Sequence, residues 1–242
     1  MPEFTYSFYP VYAGYYDIPM DLVPLNEDWS LNMEEMVNRA KENKSGIIFA
    51  NPNAPTAIGI KREQVKKMLE SANKDEIFIV DEAYVDFGGE SCLKLIDKYD
   101  NLLVVQTFSK SRSLAGSRIG YAMGNSEIIA DLNAIKFSFN PYNLDRLAIL
   151  AGTEAMKDRE YFDKTRMQIM DTREMFVEGM KEMGFTVLPS KANFVFAASS
   201  EISGKEYFDR LRKENIIVRH FKNELIAEYV RITIGTPEEM TL

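Results

Sequence analysis

Three short polar motifs each follow an apolar run, and together they carry the side chains best suited to chemistry. NPNAPTA occupies residues 51–57, DEAY residues 81–84 and TFSK residues 107–110. A lysine at a desolvated strand end, such as Lys110, can act as an amine nucleophile that forms a Schiff base with a carbonyl. Asp81 follows four apolar residues, so its carboxylate needs a partner, and a protonated pyridine nitrogen is one.

Further polar side chains near these strand ends complete a set that suits one cofactor. Tyr84 can donate a hydrogen bond to the phenolate oxygen of a pyridine ring. Thr107, Ser109 and Arg118 supply two hydroxyls and a guanidinium, which together suit a phosphate group. With Lys110, these residues describe a pocket for pyridoxal 5′-phosphate, whose cationic ring absorbs electrons from a substrate carbanion.

The elements that must position these motifs alternate between apolar runs and amphipathic stretches. IIFA (47–50), IFIV (77–80) and LLVV (102–105) are apolar on consecutive positions, which is typical of a parallel sheet buried on both faces. Amphipathic stretches such as residues 61–72 supply the crossovers between strands. We therefore expect an α/β fold with its ligand at the carboxyl edge of the sheet.

The pattern changes from residue 143 onward. Apolar residues recur at helical spacing for about forty residues, which predicts two helices, the second one long. After Gly184, short strands and one helix predict a smaller α+β unit. We expect a large domain over residues 1–158 and a small domain over residues 159–242.

The composition is that of an ordinary globular protein. The 242 residues are 45% hydrophobic, and the net charge of −8 argues against a nucleic-acid-binding surface but allows a small charged metabolite. The single cysteine, Cys92, excludes an intrachain disulfide and a CxxC metal site. The sequence shows neither a signal peptide nor an apolar run long enough to cross a membrane. We expect a cytoplasmic protein without a metal ion or a membrane partner.

The motifs NPNAPT, DEAY and TFSKSRSLAGSRIG together resemble those of the fold-type-I pyridoxal-phosphate aminotransferases, most closely the histidinol-phosphate aminotransferase group. The resemblance covers nearly the whole chain and implies a three-layer, mostly parallel sheet in the large domain. It implies that Lys110 bonds to the cofactor, that Asp81 pairs with the pyridine nitrogen and that Tyr84 is a ligand of the ring oxygen. Ser109 and Arg118 would hold the cofactor phosphate.

The same resemblance assigns roles to three more residues and suggests a reaction. Tyr6 matches the aromatic residue that stacks on the cofactor ring. Arg231 matches the arginine that grips the substrate carboxylate or its equivalent, and Arg219 matches the arginine that contacts the substrate phosphate. The implied enzyme is a homodimer that acts on a small anionic amine. Histidinol phosphate is the best candidate amine, with 2-oxoglutarate and glutamate as the acid pair.

The chain departs from the family pattern at two places. Ala54 stands where the family usually has an asparagine before Pro-Thr-Gly, and Ala57 replaces the glycine. Asn53 is then the nearest residue that could contact the cofactor ring in place of that asparagine. Family members also carry a segment before the point that matches Met1, which includes a glycine-serine turn for the phosphate and an aromatic contributed across the dimer.

Several other interpretations stay open. Lys110 considered alone is typical of a solvated loop, and Arg219 and Arg231 could simply pair with the acidic surface. An aromatic aminotransferase or a threonine-phosphate decarboxylase would use much the same residues. A chain without the earlier segment could also keep the fold while binding the cofactor weakly. His220 is predicted to be a surface or packing residue, since strand alternation aims it away from the face of Arg219. The aromatic residues at positions 8–16 are predicted to lie mostly in a core or an interface.

Overall fold

The chain alternates helices and strands, and the computed structural model describes residues 1–241. The helices are α1 (Tyr9–Tyr15), α2 (Met33–Asn43), α3 (Arg62–Ser71), α4 (Ser126–Phe139), α5 (Arg146–Lys157), α6 (Arg159–Glu182) and α7 (Gly204–Lys213). The strands are β1 (Ile47–Ala50), β2 (Phe78–Asp81), β3 (Leu102–Thr107), β4 (Gly120–Gly124), β5 (Phe185–Val187), β6 (Phe194–Ser199), β7 (Arg219–His220) and β8 (Tyr229–Thr233). They form two sheets, of order β1-β2-β3-β4 and β5-β6-β8-β7.

The first sheet is parallel except at its edge, where β4 runs antiparallel to β3. One face carries the main core, in which alternate residues such as Phe49, Phe78 and Val104 pack against α2 and α3. The other face is half-buried at Ile48 and Ile79 within residues 1–241. The α/β fold class is confirmed. The first sheet was expected to be buried on both faces, but in the described chain only one face is fully buried.

The two helices predicted after residue 143 are α5 and α6, and the second has 24 residues. Asp158 separates them because its carboxylate accepts a hydrogen bond from the backbone N–H of Tyr161 and caps α6. Asp145 caps α5 in the same way through Ala148. The proposed boundary between residues 158 and 159 coincides with this cap, and the domain division itself stays a prediction.

The second sheet is antiparallel, and its two faces have different partners. Residues such as Val195 and Val230 pack against α6 and α7. His220 is half-buried beside this cluster, with its ring 5.9 Å from that of Phe208. The opposite face contacts the first part of the chain, for example through Trp29. None of the helices in residues 1–241 has the length and apolar character needed to cross a membrane.

Candidate functional site

The three polar motifs meet at one edge of the first sheet. Ala50 of β1 pairs with Asp81 of β2, and Asp81 pairs in turn with Val105 of β3. The residues that follow these strands therefore leave the sheet side by side at its carboxyl edge. NPNAPTA, DEAY and TFSK are adjacent in the structure, as their positions after parallel strands predict.

Asp81 is held by hydrogen bonds to both of its carboxylate oxygens. Oδ1 accepts from the backbone N–H of Ala83 at 3.0 Å, and Oδ2 accepts from the hydroxyl of Tyr9 at 2.7 Å. Burial raises the pKa of the Asp81 carboxyl above its ordinary value, while these two hydrogen bonds and the Lys110 ammonium oppose that rise. A desolvated carboxylate with a donor on each oxygen is suited to pairing with a cation.

Tyr9 is a site residue that the sequence did not single out, since it was predicted to pack in a core or an interface. Its ring is buried, and its hydroxyl contacts Asp81 across the site. Burial and then the Asp81 charge raise the pKa of the Tyr9 hydroxyl, so the hydroxyl stays protonated and donates. A signal was present, because Pro10 favours a helix start at this point and Tyr9 follows Tyr6 by three positions.

Tyr6 lies beside Tyr9 at the same edge of the sheet. The two ring centroids are 5.5 Å apart and the rings are nearly perpendicular, at 81°. The Tyr6 side chain is 47% exposed, which leaves part of its ring available to another planar group. The structure therefore brings Tyr6 to the site that the sequence assigned to it.

Lys110 lies half-buried in the turn after β3, with Nζ 5.0 Å from the centre of the Tyr84 ring. The next two residues anchor this turn on opposite sides. Ser111 donates a hydrogen bond to Asp86 at 2.5 Å, and Arg112 donates to a backbone carbonyl of α5 at 2.5 Å. These contacts fix the lysine relative to DEAY.

An aromatic pair connects DEAY to the second sheet. The Tyr84 ring meets the Phe194 ring edge-on, at a centroid distance of 5.0 Å and an angle of 86°. The Arg231 guanidinium lies 5.0 Å from the centre of the Phe194 ring. Phe194 is buried and was not among the predicted site residues. Lys110, Tyr84, Phe194 and Arg231 thus form a continuous line of contacts through the site.

Asn53 is buried and ties its turn to the N-terminal aromatic segment. Its Nδ2 donates to the backbone carbonyl of Phe4 at 2.9 Å and to the Thr56 hydroxyl at 3.1 Å. Its Oδ1 is buried and has no hydrogen-bond partner among residues 1–241. Ala54 is buried in a small apolar cluster with the second sheet, so position 54 contributes packing to the site.

The residues predicted to hold a phosphate lie at the connection between β3 and β4. The Thr107 hydroxyl donates to the backbone carbonyl of Ile119 at 3.2 Å and accepts from the Ser109 N–H at 3.1 Å. Arg118 is exposed, and its Nη1 donates to the carbonyl of Ala115 at 2.9 Å. The structure therefore brings Thr107 and Ser109 together, whereas the Arg118 guanidinium is bonded to its own turn.

Arg219 and Arg231 occupy directly opposed positions on β7 and β8. Like charges opposed in this way destabilise a sheet unless a counter-charge lies nearby. Both line a cavity of about 350 Å³ together with Arg212, and its lining contains no carboxylate among residues 1–241. The Nε of Arg231 is buried without a partner in the same part of the chain. The arrangement favours an anionic ligand.

A buried arginine of α6 links the segment after DEAY to the segment that leads into β6. Arg173 donates through Nη1 to the backbone carbonyls of Phe87 and Ala192, both at 2.8 Å. Phe87 follows DEAY closely, and Ala192 precedes Phe194 by two residues. No sequence signal predicts this role, because an arginine in a long amphipathic helix is ordinarily exposed.

The whole sequence matches one family model, described as aminotransferase class I and II, over residues 1–242. A histidinol-phosphate aminotransferase from Pseudomonas putida is 50% identical over 237 residues, which are 98% of this chain and 67% of the relative. The chain therefore spans about two thirds of the length of the relatives that it matches.

Two solved structures resemble the fold closely. The histidinol-phosphate aminotransferase from Clostridium acetobutylicum has a TM-score of 0.92 and 28% identity, and the match covers 99% of this chain and 73% of that chain. The enzyme of the same name from Sinorhizobium meliloti, in complex with pyridoxal-5′-phosphate, has a TM-score of 0.89 and 21% identity. That match covers 99% of this chain and 67% of the other, and it bears on the fold alone.

Proposed function

The chain belongs to the class I and II aminotransferase family, and we propose that it takes the amino group of a small anionic amine, with histidinol phosphate as the first candidate. The observation that carries this substrate class is the opposed pair Arg219 and Arg231, in which the Arg231 Nε is buried without a partner in residues 1–241. A phosphate or carboxylate would satisfy both guanidinium groups. 2-Oxoglutarate and glutamate, which also carry carboxylates, are the proposed acid pair.

Pyridoxal 5′-phosphate, the cofactor of this family, supplies a carbonyl that captures an amine and a ring that withdraws electrons. The site residues fit such a group. Asn53 Oδ1 and Arg231 Nε are buried without a partner among residues 1–241, and polar groups of a bound ligand would satisfy both atoms. The residues that would hold the cofactor are Asp81 at the ring nitrogen, Tyr84 at the ring oxygen, Asn53 and Tyr6 at the ring, Thr107, Ser109 and Arg118 at the phosphate, and Lys110 at the carbonyl carbon.

Lys110 is the proposed acid and base. Its amine would take the proton from the amine-bearing carbon of the substrate, which is the proton that must move in an amino transfer. The anchors at Ser111 and Arg112 restrict where this amine can reach, and the Tyr84 ring lies against it. Restricting the position of a proton carrier in this way raises the rate because less freedom is lost in the transition state.

Arg219 and Arg231 are proposed to orient the substrate through its anionic groups. Arg231 lies against Phe194, which in turn contacts Tyr84, so the arginine is positioned relative to the cofactor side of the site. A bidentate guanidinium contact fixes direction as well as distance. This chain of contacts would hold the reacting carbon of the substrate near the Lys110 amine.

We also propose a homodimer, because α4 and α5 expose large apolar side chains. No residue of α4 is buried within residues 1–241, and Ile135, Phe137, Phe139 and Leu147 are more than half exposed. An apolar patch of this kind commonly marks an interface. The proposed location is the cytoplasm, and the proposed boundary between the large and small domains lies between residues 158 and 159. Sedimentation of the purified chain should show a dimer, and a monomer at all concentrations would contradict this part.

The cofactor assignment can be tested by absorbance. We expect the purified chain mixed with pyridoxal phosphate to show a band near the visible edge that disappears on treatment with borohydride. Lys110→Ala should lack the band, whereas Lys74→Ala, which removes an exposed lysine between α3 and β2, should keep it. Absence of the band in the unmodified chain would overturn cofactor binding by this chain.

The substrate assignment needs a comparison of three amines. Amino transfer to 2-oxoglutarate should be fastest from histidinol phosphate, slower from phenylalanine, and threonine phosphate should release no carbon dioxide. Arg219→Gln should reduce kcat/KM for histidinol phosphate about 10- to 100-fold, the value of a hydrogen bond to a charged group. A chain that shows the band but acts on none of the three would support the alternative of a fold retained without catalysis.

A further inference from the structure

We infer that Tyr9 is a positioning residue of this site: its hydroxyl fixes the Asp81 carboxylate at the strand end where the cofactor ring would be addressed. This inference rests on the proposed function, since it assigns Asp81 to the cofactor ring. Tyr9 itself is not assigned a contact with cofactor or substrate. It acts through Asp81 and through the neighbouring Tyr6.

The geometry leaves the Asp81 carboxylate little freedom. The Tyr9 hydroxyl holds Oδ2 at 2.7 Å, and the backbone N–H of Ala83 holds Oδ1 at 3.0 Å. With one donor on each oxygen, rotation of the carboxylate about its last bond breaks both hydrogen bonds. Tyr9 is 72 residues away in sequence, so this contact also joins the N-terminal aromatic segment to the sheet edge.

The Tyr9 hydroxyl is the hydrogen-bond donor in this contact, and the Asp81 carboxylate is the acceptor. Burial raises its pKa, with Asp81, Tyr6 and Tyr84 adding to the rise, so it remains a donor throughout the range in which proteins fold. A donor stabilises the ionised form of Asp81, against the burial that favours the protonated form. The Lys110 ammonium and the Ala83 N–H act in the same direction as Tyr9. Removal of the Tyr9 hydroxyl therefore shifts the balance toward protonated Asp81.

Tyr9 also fixes the aromatic ring that is expected over the cofactor. The Tyr6 ring meets the Tyr9 ring edge-on at 5.5 Å, and Tyr9 is buried while Tyr6 is half-exposed. A buried ring anchored by its hydroxyl gives the exposed ring a fixed neighbour. One residue thus contacts both Asp81 and Tyr6.

The test uses Tyr9→Phe, which removes the hydroxyl and keeps the ring. Tyr12→Phe is the matched control, because Tyr12 lies on the same helix and is exposed. The first measurement is the dissociation constant of pyridoxal phosphate from the full chain. We expect Tyr9→Phe to raise it about tenfold, because an Asp81 carboxyl that is protonated or rotated away cannot pair with the cationic ring nitrogen, and Tyr12→Phe to leave it unchanged.

The second measurement is made without the cofactor, by following the Asp81 carboxyl carbon by NMR as the pH is changed. Tyr9→Phe should move the Asp81 titration to higher pH, and Tyr12→Phe should not. An unchanged titration in Tyr9→Phe would overturn the inference, as would a cofactor dissociation constant equal to that of Tyr12→Phe. If the unmodified chain binds no cofactor, the proposed function fails, and the titration alone then decides whether Tyr9 controls Asp81.

Discussion

The part of the site formed by Tyr9, Asn53, Asp81 and Tyr84, here called the ring side, differs from the part formed by Thr107, Ser109 and Arg118, here called the phosphate side. On the ring side, each of Tyr9, Asn53 and Tyr84 contacts a segment distant in sequence. On the phosphate side, the hydrogen bonds of Thr107 and Arg118 stay within the connection between β3 and β4. The ring side is thus fixed by tertiary packing and the phosphate side by local turns.

The difference follows from what covers each side. The ring side lies between the first sheet, the N-terminal segment and the Phe194 face of the second sheet. The phosphate side lies next to β4 and α4, and no residue of α4 is buried within residues 1–241. Burial makes each hydrogen bond stronger and each unpaired polar atom more costly. Substitutions on the ring side should therefore change stability, and those on the phosphate side should change ligand binding alone.

The largest effect is expected from Arg173→Met, which removes the contact that joins the ring side to the second sheet. The change leaves the buried carbonyls of Phe87 and Ala192 without their donor, at roughly 1–3 kcal/mol each. We expect the free energy of unfolding in urea to fall by about 3 kcal/mol. Arg166→Met, on the same helix but in a surface ion pair, should cost less than about 1 kcal/mol. Equal losses in the two variants would contradict a joining role for Arg173.

Arg118→Ala tests the phosphate side and should separate binding from stability. The guanidinium is exposed, so its removal should change the free energy of unfolding by less than about 0.5 kcal/mol. If Arg118 contacts the cofactor phosphate, the dissociation constant of pyridoxal phosphate should rise about tenfold, as expected for a charge-assisted hydrogen bond. Arg159→Ala, at an exposed arginine of α6, should change neither quantity. A loss of stability without a loss of affinity would reverse the proposed contrast.

Glu82, the residue directly after Asp81, is also held in place by several hydrogen bonds. Its carboxylate is almost fully buried and accepts from the Ser91 hydroxyl, the Cys92 N–H and the Gln106 amide, at 2.5–2.7 Å. Burial raises the pKa of the Glu82 carboxyl, and these donors oppose the rise in part. The folded protein therefore holds the Glu82 proton to a higher pH than the unfolded chain does.

That difference in proton binding makes the stability of the protein depend on pH. As the pH rises from the unfolded value of about 4.3 through the raised folded value, the unfolded chain loses the proton first, and stability falls. Glu82→Gln cannot titrate, so its stability relative to the unmodified chain should increase over this window, by about 1.4 kcal/mol per unit of pKa difference. Urea unfolding at several pH values measures this, with exposed Glu201→Gln as the control. A constant difference across the window would refute the assignment.

The sequence could predict the carboxyl-edge cluster because each of its signals is local. An apolar run followed by a polar motif predicts a strand and what leaves it, and parallel pairing then brings several such ends together. Tyr9 and Arg173 could not be found in this way, since their partners lie 72 and 86 residues away. Hydrophobic periodicity also does not reveal which face of the sheet the described residues cover. It shows that a strand face is apolar, but not which segment packs against that face.

The smallest effect is expected at Ala57, whose backbone conformation is one that favours glycine. Ala57 has a left-handed backbone, with φ of 65°, and is fully buried. Such a conformation costs an alanine about 1–2 kcal/mol. Ala57→Gly removes that strain but also removes a buried methyl group, worth about 0.8 kcal/mol, and frees the unfolded chain by a further 0.4–1 kcal/mol. These contributions nearly cancel, so the free energy of unfolding should change by less than about 1 kcal/mol.

Ala192→Gly is the matched control for this last substitution, since Ala192 is also fully buried but is not among the residues with positive φ. With no strain to relieve, it should lose about 1–2 kcal/mol through the methyl group and the unfolded chain. Ala57→Gly should therefore be the more stable of the two in urea. The reverse order would mean that the ring side tolerates the left-handed alanine without strain, and that its packing is looser than the contacts around Asn53 indicate.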